Sequence, residues 1–581
     1  MSAEKLITDH IDIWTSAVQA KSSSGRGSSK KRELYGIKKL RELILELAVR
    51  GKLVPQDPSD EPASVLLERI AAEKAQLVKE KKIKKPKALS NLSLENLPAL
   101  PDGWAWAHVQ DFTEYVQRGK GPKYADKGSV RVVSQKCVQN SGFDIEPARY
   151  VEDQSLENYQ EERYLKEKDL LWNSTGTGTV GRVNVLPVVE SKSLVADSHV
   201  TVLRPLLMNS RYIWCFLMSP GVQARINPDH EFSLVSGSTK QVELNTSSVV
   251  SLPVSVAPLN EQRRIVAKVD ELMALCDQLE QQTEASLDAH QVLVETLLAT
   301  LTNSQNATEL MANWARISEH FDTLFTTEQS IEQLKQTILQ LAVMGKLVPQ
   351  DPNDKPAAKL LERIAEEKAQ LVKEKKIKKQ KALPPIAEDE KPFELPNGWE
   401  WCRFGTLVNF KAELVRPEEH LDLDQVAPDS IEKGTGKLIK RRTVAESGVK
   451  GPNSRFYAGQ ILYSKIRPSL SKAIIAEFDG LCSADMYPLE AMVNSEFLLK
   501  IILSEVFLTQ VRAAENRIKM PKLNVDSLSN ILVPICPDNE MGRISSKLSE
   551  LMFVSDQLKQ RINKIQQTQL QMTDAIVELA L

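Results

Sequence analysis

The stretch from Leu40 to Leu89, LRELILELAVRGKLVPQDPSDEPASVLLERIAAEKAQLVKEKKIKKPKAL, decides the architecture of this chain because it occurs twice. It returns from Leu334 to Leu383 as LKQTILQLAVMGKLVPQDPNDKPAAKLLERIAEEKAQLVKEKKIKKQKAL, and 39 of the 50 positions are identical. A chain of 581 residues is too long for a single hydrophobic core. Two copies of one repeat are therefore expected to fill it.

Shorter repeated motifs flank this block and extend the repeat over most of the chain. LPDGWAW at 100–106 returns as LPNGWEW at 395–401, just beyond each copy. PLNEQRRIVAKVDELMALCDQLEQ, which begins at Pro258, returns as PDNEMGRISSKLSELMFVSDQLKQ from Pro537. The same three motifs therefore follow one another twice, which indicates a tandem duplication.

The duplicated block predicts two helices in each copy. Apolar residues recur every three or four positions, as in an amphipathic helix, at Leu34, Ile37, Leu40, Ile44 and Leu47 and then at Ile331, Leu334, Ile338 and Leu341. These helices are expected to end at the glycines and prolines that follow, which are Gly51, Gly345, Pro55 and Pro349. A shorter second helix is predicted from about Pro62 to Lys85, with its twin from Pro356 to Lys379. Each finishes in a lysine run, KEKKIKKPK or KEKKIKKQK, which is either a solvated helix end or a phosphate contact.

A long helix closes each repeat. Its apolar stripe is Ile265, Val269, Leu272, Cys276, Leu279, Leu287, Val294, Leu298 and Leu301 in the first copy. In the second copy it is Ile544, Leu548, Leu551, Leu558, Ile562, Ile565, Met572, Ile576 and Leu579. Spacings that alternate between three and four residues are typical of a coiled coil. The two helices are expected to pair antiparallel, either as a spacer of about 60 Å or as a simple bundle or dimerisation helix.

The segments between the helices are rich in short β-like stretches and share a skeleton. DLLWNST at 169–175 aligns with GQILYSK at 459–465. ADSHVTVL from Ala196 aligns with ADMYPL from Ala484, and the pair Leu244-Asn245 aligns with Leu523-Asn524. Between these landmarks the residues differ strongly, in contrast to the helical blocks. This contrast predicts one scaffold that carries two different recognition surfaces.

The predicted fold class is α+β, with two α/β recognition domains separated by long antiparallel coiled-coil helices in an internal pseudo-twofold repeat. The predicted divisions are an N-terminal helical region with a lysine-rich linker (1–99), domain one (100–257), a central helical region (258–394), domain two (395–537) and a C-terminal coiled-coil helix (538–581). Domain one and domain two are the two recognition domains.

The composition and the missing motifs restrict the possible functions. Lys and Arg total 75 against 77 acidic residues, so attraction to a polyanion has to come from local patches. Six cysteines without CxxC or Cys/His spacing indicate a reducing compartment and no structural zinc. No apolar run is long enough to cross a membrane, and no export signal is recognisable, so a cytoplasmic protein is expected.

No catalytic residue can be nominated from the sequence. GTGTVG, from Gly176, matches GxGxxG, but the strand-like RVNVLPVVE follows where a dinucleotide site needs a helix. We interpret it as a glycine-rich β-turn. The chain has no GxxxxGK[ST] for ATP hydrolysis and no [DNS]PP[YFW] loop of amino-methyltransferases. The histidines are isolated, and His199, in an alternating strand, is interpreted as structural.

Cations and short polar residues cluster in both domains, which predicts a DNA contact. Phosphates are held by Lys, Arg and hydroxyl groups, whereas Arg, Lys, Asn, Gln and Ser can read base edges. The candidates in domain one are Arg118, Lys120, Lys123, Asn173, Ser174, Thr175, Thr177, Thr179, Arg182 and Lys240. Those in domain two are Arg441, Arg442, Lys450, Arg455, Tyr463, Ser464, Lys465, Arg467, Arg517 and Lys519, with Lys440, Arg512 and Lys522 nearby. For any single member, a solvated surface charge or a turn residue is the alternative.

Taken together, these motifs resemble the specificity (S) subunits, HsdS, of type I restriction-modification enzymes. The resemblance covers essentially the whole chain and rests on GIKKLRELILELAVRGKLVPQDP from Gly36, NSTGTGTVGRV from Asn173, SGSTKQVELNTS from Ser236, and YSKIRPSLSKAIIAEFDGLCSADMYPL from Tyr463. The duplicated block is most similar to the layout of the type IB branch. One departure is PDNEMGRI, where the family usually keeps the EQ pair seen at Glu261-Gln262.

The resemblance implies a non-catalytic subunit that binds no cofactor itself. Each recognition domain would read one half of an asymmetric bipartite site in double-stranded DNA, through the major groove. The helices would hold two modification (M) subunits that methylate adenine with S-adenosylmethionine, and through them restriction (R) subunits that use ATP and Mg²⁺. Half-sites on one face of DNA are expected about 34 Å, or roughly 10 bp, apart.

On the residues alone, two other classes of function stay open. A coiled-coil scaffold or adaptor with two protein-binding domains fits the nearly neutral charge equally well. A free-standing DNA enzyme would require a catalytic site that the sequence does not reveal.

Overall fold

The computed structural model describes residues 3–21, 31–90, 92, 97–157, 159–176, 178–238, 241–377, 380–411, 413–515 and 521–581. The chain divides into two compact units. Unit 1 comprises Met1–Ser286 and Ile565–Leu581, and unit 2 comprises Leu287–Lys564. The five-part division predicted from the sequence stays a prediction.

Two helices exceed forty residues, and the other elements are shorter. The helices are α1 (Ala3–Thr8), α2 (Ile11–Ser16), α3 (Tyr35–Val49), α4 (Ala63–Lys79), α5 (Ser210–Met218), α6 (Pro220–Ala224), α7 (Thr246–Val250), α8 (Leu259–Asn303), α9 (Ala307–Glu319), α10 (Phe321–Leu324), α11 (Glu328–Val343), α12 (Ala357–Lys373), α13 (Phe404–Leu407), α14 (Val444–Ser447), α15 (Ser495–Leu503), α16 (Glu505–Ala514), α17 (Val525–Asn530) and α18 (Asp538–Ala580).

Most strands belong to the two recognition domains. The strands of unit 1 are β1 (Gln19–Lys21), β2 (Lys31–Glu33), β3 (Ala105–His108), β4 (Thr113–Arg118), β5 (Tyr124–Ala125), β6 (Arg131–Val133), β7 (Val138–Gln139), β8 (Gly142–Phe143), β9 (Arg149–Val151), β10 (Leu170–Asn173), β11 (Val183–Val185), β12 (Leu194–Ala196), β13 (Val200–Pro205), β14 (Val235–Ser238), β15 (Gln241–Leu244) and β16 (Pro253–Val256). Those of unit 2 are β17 (Glu400–Arg403), β18 (Val408–Phe410), β19 (Glu413–Val415), β20 (Asp424–Val426), β21 (Asn453–Phe456), β22 (Ile461–Ser464), β23 (Ala473–Ile475), β24 (Gly480–Cys482), β25 (Met486–Ala491) and β26 (Leu532–Ile535).

The first helix of each block, α3 or α11, is confirmed with its predicted apolar stripe buried. Each helix ends at the predicted glycine, Gly51 at φ +65° and Gly345 at φ +71°. A side chain at either glycine would collide with the proline and tryptophan of the LP(D/N)GW motif. The glycines are therefore required twice over, for the left-handed turn and for the close approach.

The second helix of each block is shorter than predicted. The predicted ends were Lys85 and Lys379, but α4 ends at Lys79 and α12 at Lys373. Two residues past each end, Lys81 and Lys375 both adopt φ 57°. Like charges three or four residues apart destabilise a helix. Only the first lysine of each run, Lys79 or Lys373, belongs to its helix, and the other described lysines of the run lie beyond it.

The long helices α8 and α18 each contribute to both units, because α8 begins in unit 1 and α18 begins in unit 2. The predicted stripe of α8 is buried except at Leu287, which is half-buried. In α18 the stripe is buried or half-buried up to Ile562, whereas Ile565 is 57% exposed and Leu579 is 88% exposed. The stripe predicted for α18 is therefore only partly buried.

In each unit, the first helix of the duplicated block contacts both long helices. In unit 1, Arg41 of α3 forms an ion pair with Asp277 of α8 at 2.5 Å, and Tyr35 of α3 donates a hydrogen bond of 2.7 Å to Asp574 of α18. In unit 2, α11 takes the place of α3. Its residues Gln333 and Lys335 contact α8 and α18, through Glu295 at 2.8 Å and Asp556 at 2.7 Å. The antiparallel pairing of the long helices stays a prediction.

Each recognition domain contains two four-stranded sheets. The first sheet is fully antiparallel, with the order β11-β10-β13-β4 in domain one and β23-β22-β25-β18 in domain two. The second sheet is mixed, with the order β12-β6-β9-β5 in domain one and β20-β24-β21-β19 in domain two. The shared skeleton is therefore confirmed for the first sheet.

The first sheet is packed on both faces. In domain one, Trp172 and Leu170 share a core with Leu66 and Ile70 of α4. The next strand residue, Leu171, faces a separate core that includes Val133 and Ala196 of the second sheet. Domain two repeats this layering with Tyr463 toward the helices and Leu462 toward the second sheet. The recognition domain is thus a stack of helices, first sheet and second sheet.

Candidate nucleic-acid interface

The repeated motifs meet at a buried joint that fixes each recognition domain to its helices. In unit 1, Glu261 in the first turn of α8 is 1% exposed and accepts hydrogen bonds from Trp104 Nε1 at 3.0 Å and Gln56 Nε2 at 3.2 Å. Arg264, one turn later, pairs with Asp60 at 2.7 Å. Burial raises the pKa of the Glu261 carboxyl, although the two donors oppose the shift.

Unit 2 contains the same joint. Glu540 accepts hydrogen bonds from Trp399 Nε1 at 3.1 Å and Gln350 Nε2 at 3.4 Å. Arg543 pairs with Asp354 at 2.5 Å, and burial again raises the pKa of the Glu540 carboxyl. The PQDP, GW and NE(Q/M) motifs are thus preserved because they form one contact network.

The departure at PDNEMGRI affects only one position of this joint. In unit 1, Gln262 accepts from the amide N–H of Asn209 at 3.0 Å and donates to the carbonyl of Ala257 at 2.8 Å. In unit 2 the corresponding residue is Met541, which is fully buried as an apolar side chain. The carboxylate of the joint is kept, and the two polar contacts of Gln262 are replaced by apolar packing of Met541.

The structure corrects the alignment of the two central strands. The sequence aligned Ser174 with Ser464, but the strand registers of the two domains make Ser174 equivalent to Lys465. The amide N–H of Ser174 donates to the carbonyl of His199 at 2.8 Å, and that of Lys465 donates to Asp485 at 2.9 Å. The buried rings of Trp172 and Tyr463 set this register by filling the same core position, so the alignment shifts by one residue.

The alignment of the ADSHV and ADMYP segments is corrected as well. The amide N–H of Asp197 donates to the carbonyl of Val133 at 3.0 Å, and the N–H of Ser483 donates to Val426 at 2.9 Å. Asp197 therefore corresponds to Ser483, and the sequence alignment of Ala196 with Ala484 was wrong by two residues. The alignment of Leu244-Asn245 with Leu523-Asn524 is confirmed, because both leucine amides bond the end of the central strand.

Four of the candidate DNA-contact residues lie inside their domains. Asn173 is fully buried and donates to the carbonyls of Gln135 and Val138, both at 3.1 Å. Ser174 is also fully buried and is bonded to its neighbours. In domain two, Tyr463 is 1% exposed and Ser464 is fully buried. A duplex cannot reach these side chains in this conformation, so the geometry gives them a structural role.

The other candidates of domain one gather where the first sheet ends. Arg118, at the end of β4, forms an ion pair with Glu243 of β15. Thr175 shares a hydrogen bond of 2.6 Å with His199 Nδ1. The Lys120 ammonium lies 5.6 Å from the ring centroid of Tyr159. These contacts connect β4, β10, β13 and β15 into one polar strand-end surface.

Further candidates line the glycine-rich turn and its surroundings. Thr179 donates to the Gln135 side chain at 3.0 Å, and Arg182 donates to the carbonyl of Gly178 at 2.7 Å. The chain from Val183 continues as strand β11, so the β-turn interpretation of GTGTVG is confirmed. Lys123 is exposed, 3.8 Å from Glu152.

Domain two presents two groups of cations. Lys465 Nζ lies 5.0 Å from the ring centroid of Tyr487, close to the exposed Arg467, whose backbone is left-handed at φ 45°. Lys522 pairs with Asp485 at 3.0 Å beside them. This group occupies the same strand ends as the polar surface of domain one.

The second group lies around the second sheet of domain two. Arg441 pairs with Asp424 at 2.7 Å, and Arg442 pairs with Asp429 at 3.0 Å. Arg455 on β21 stacks at 5.4 Å over the ring of Tyr457, and Lys450 is exposed. The structure therefore brings the accessible, described candidates of domain two together in two places rather than one.

Four candidates, Thr177, Lys240, Arg517 and Lys519, lie outside the described residues. The sequence interpretation missed Glu243 and Asp485, and it took His199 to be structural although His199 shares a hydrogen bond with the candidate Thr175. Comparison of the two repeats in the corrected register would have revealed them, since each occupies a strand end where the copies differ.

The described residues give no sign of a catalytic metal centre. Within those ranges, no group of three or more His, Cys, Asp or Glu side chains could hold a metal ion. All six cysteines are free and buried. Among the described residues, no helix combines the length and apolar composition needed to cross a membrane.

Comparison with known proteins agrees with this architecture. The family described as type I restriction modification DNA specificity domain matches residues 101–289. The chain is 43% identical to the Escherichia coli type I restriction enzyme EcoAI specificity subunit and 40% identical to the EcoEI specificity subunit, with 100% of each chain covered. A solved chain from work on complex assembly and conformational transition of the type I R-M system shares the fold, with a TM-score of 0.50 and 14% identity over 83% of this chain and 98% of that chain. The chain therefore belongs to the specificity subunits of type I restriction-modification enzymes.

Proposed function

We propose that domain one and domain two each read one half of an asymmetric, two-part sequence in double-stranded DNA. The observation that carries this proposal is that the first sheet has the same topology in the two domains, whereas the side chains at its strand ends differ. A scaffold that is kept while its exposed polar residues change is what two different half-sites would require. Half-sites about 34 Å apart, on one face of the duplex, would place a non-specific spacer between them.

The proposed contact residues are the accessible candidates at the strand ends and on the second sheet. In domain one they are Arg118, Lys120, Lys123, Thr175, Thr179 and Arg182, and in domain two they are Arg441, Arg442, Lys450, Arg455, Lys465 and Arg467. Thr177, Lys240, Arg517 and Lys519 belong to the proposal from their sequence positions. The buried Asn173, Ser174, Tyr463 and Ser464 would support these residues rather than touch DNA.

The proposal extends to the partners of the complex. Two modification subunits would dock on the helical blocks, and restriction subunits would join through them. Support comes from the 39 identical positions among 50, because two equal surfaces suit two identical partners. The partners would supply the chemistry that uses S-adenosylmethionine, ATP and Mg²⁺, in the cytoplasm, with a subunit layout of the type IB kind.

A domain exchange tests the two-half reading. Residues 100–257 are replaced by the matching domain of another specificity subunit, and the target is mapped by sequencing methylated adenines in cells that carry the whole system. The expected result is a change in one half of the target with the other half retained. A change in both halves, or none, would overturn the proposal.

Salt dependence separates DNA recognition from a protein-binding adaptor. Binding of the assembled complex to a duplex is measured by fluorescence anisotropy between about 50 and 200 mM salt. Over this range, several phosphate contacts lower the affinity by about 10²-fold or more. A steep fall in affinity is expected. An adaptor with no phosphate contacts would bind weakly or not at all across the whole range.

A further inference from the structure

The two recognition domains have the same backbone hydrogen-bond pattern at the end of the central strand, which is β10 in domain one and β22 in domain two. The amide N–H of Leu244 donates to the carbonyl of Ser174 at 2.7 Å, and that of Leu523 donates to Lys465 at 2.9 Å. Both leucines are buried, at 0% and 1% exposure. The residues just before them, Glu243 and Lys522, form matching β-bridges to the segment that follows the central strand. Glu243 and Lys522 therefore occupy the same position in the two copies.

A second pair of positions coincides at the start of the neighbouring strand. The amide N–H of His199 donates to the Asp197 side chain at 2.8 Å, and that of Asp485 donates to the Ser483 hydroxyl at 3.3 Å. In both domains the acceptor is the side chain of the residue two positions earlier in the chain. His199 and Asp485 are therefore held by the same type of turn and correspond to each other.

The side chains at these equal positions differ in charge and chemistry. The acid Glu243 of domain one is replaced by the base Lys522 of domain two, and His199 is replaced by the acid Asp485. Their partners differ too, since Glu243 pairs with Arg118, whereas Lys522 pairs with Asp485 at 3.0 Å. The backbone tolerates either set, so the fold does not dictate which residues stand there.

These side chains are accessible although they make specific contacts. The side chains of Glu243, Lys522 and Asp485 are 49%, 47% and 36% exposed. Ion pairs at such exposure contribute at most about 1 kcal/mol to stability. Stability therefore gives little reason for a charge reversal, whereas a surface that presents a donor beside an acceptor suits the edge of a base pair.

We propose that the strand-end quartet, His199 and Glu243 in domain one with Asp485 and Lys522 in domain two, determines which bases each domain prefers. The inference rests on the proposed function and deepens it by assigning specificity to named side chains. Lys522 donates to the major-groove acceptors of guanine, and Asp485 accepts from an exocyclic amino group. In domain one, Glu243 and His199 present a different pattern of donors and acceptors at the same place.

The test is a selection from a randomised duplex pool with the assembled complex, comparing wild type with Lys522→Ala, Asp485→Asn and Glu243→Gln. Lys437→Ala is the matched control, because Lys437 is an exposed, ion-paired lysine of unit 2 that pairs with Asp556 of α18 instead. Thermal melts confirm that each variant is folded. Asp485→Asn keeps the shape of the side chain and serves if Lys522→Ala unfolds.

Lys522→Ala or Asp485→Asn is expected to lower the preference at one position of one half-site by about ten- to a hundred-fold. Glu243→Gln is expected to change the other half-site, and Lys437→Ala to change neither. An unchanged selected sequence, or a uniform loss of affinity for every sequence, would overturn the assignment. If the wild-type complex selects no two-part sequence, the proposed function itself fails, and that outcome is distinguishable from an unchanged variant.

Discussion

The two recognition domains agree in their first sheet and differ in their second. In both second sheets one parallel strand pair is kept, β6 with β12 and β20 with β24. The antiparallel neighbour of that pair changes side. In domain one β9 pairs with β6, whereas in domain two β21 pairs with β24, the counterpart of β12. A strand has therefore moved from one edge of the pair to the other.

This difference shows how the helices constrain the layers of each domain. The first sheet packs directly on the duplicated helices, and its residues share a core with α4 in unit 1 and α12 in unit 2. The second sheet is separated from those helices by the first. A layer that must fit a repeated surface keeps its topology, and the layer farther away is free to change.

The largest loss of stability is expected at a buried ion pair of domain one that has no counterpart at the equivalent described positions of domain two. Arg204, 6% exposed, holds the fully buried Asp169 with two hydrogen bonds of 2.7 Å. Arg204→Met leaves that carboxylate without its charged partner in an apolar setting, and burial already raises its pKa. We expect a loss of about 3–5 kcal/mol in the free energy of unfolding of unit 1, measured by denaturant titration.

The counterpart in domain two provides the control. Register places Glu490 where Arg204 stands in domain one, and Glu490 pairs with Lys411 at 3.9 Å in partial exposure. Lys411→Met is expected to cost less than about 1 kcal/mol. Equal losses for the two variants would contradict the view that only domain one relies on a buried pair.

The sequence was sufficient for the repeated parts of the fold. The helix periodicity, the terminating glycines and the skeleton of the first sheet could all be predicted, because the two copies act as an alignment of each other. The ends of the short helices could not, since helical spacing in KEKKIKK continues while repulsion between its lysines ends the helix.

The candidate site was predicted less well, for a related reason. Strands of three or four residues contain too few alternations to fix a register, so matching Ser174 with Ser464 was wrong by one residue. Polar residues at strand ends can also bond to carbonyls inside the domain, as Asn173 does. The sequence gives the residue type but not the partner, and buried and exposed candidates therefore look alike.

A smaller effect, equal in the two repeats, is expected at the joint. Trp104→Phe removes the hydrogen bond of 3.0 Å to buried Glu261, and Trp399→Phe removes the bond of 3.1 Å to buried Glu540. Each change is expected to cost about 1–3 kcal/mol, the cost of leaving a buried acceptor short of a donor. Denaturant titration that resolves the two units measures both losses. Markedly unequal losses would show that the joint differs between the repeats as the second sheets do.

The next effect depends on pH and concerns one lysine in the second helix of each block, the half-buried Lys368 of α12 and the buried Lys74 of α4. Lys368 donates to the carbonyls of Gly405 and Val408 at 2.7 and 2.8 Å, and burial lowers its pKa to about 8. Between about pH 8 and its ordinary pKa of 10.5 the unfolded chain binds more protons than the folded chain. Stability therefore rises with pH in this window.

Lys368→Met is expected to remove that rise. From pH 8 to pH 9 the free energy of unfolding of the wild type should increase relative to that of the variant, by at most about 1.4 kcal/mol, the value of one pKa unit. Lys74 donates to the carbonyl of Gln110, and burial also lowers its pKa, so Lys74→Met should show the same sign in unit 1. A difference that stays constant with pH would mean that Lys368 remains charged in the folded protein.

The smallest effect is expected from making domain two resemble domain one at a single strand-end position. Lys465 corresponds to Ser174, and the half-buried lysine reaches Tyr487 where the buried serine bonds Thr201. Lys465→Ser removes one cation from the proposed contact surface. The slope of log affinity against log salt should become shallower by about 0.9, the contribution of one phosphate, while the melt changes little. Fluorescence anisotropy over a salt series measures this slope, with Lys437→Ser as a control of equal charge change. An unchanged slope in a folded variant would remove Lys465 from the interface and leave the charge reversal at Glu243 and Lys522 as the main difference between the two strand ends.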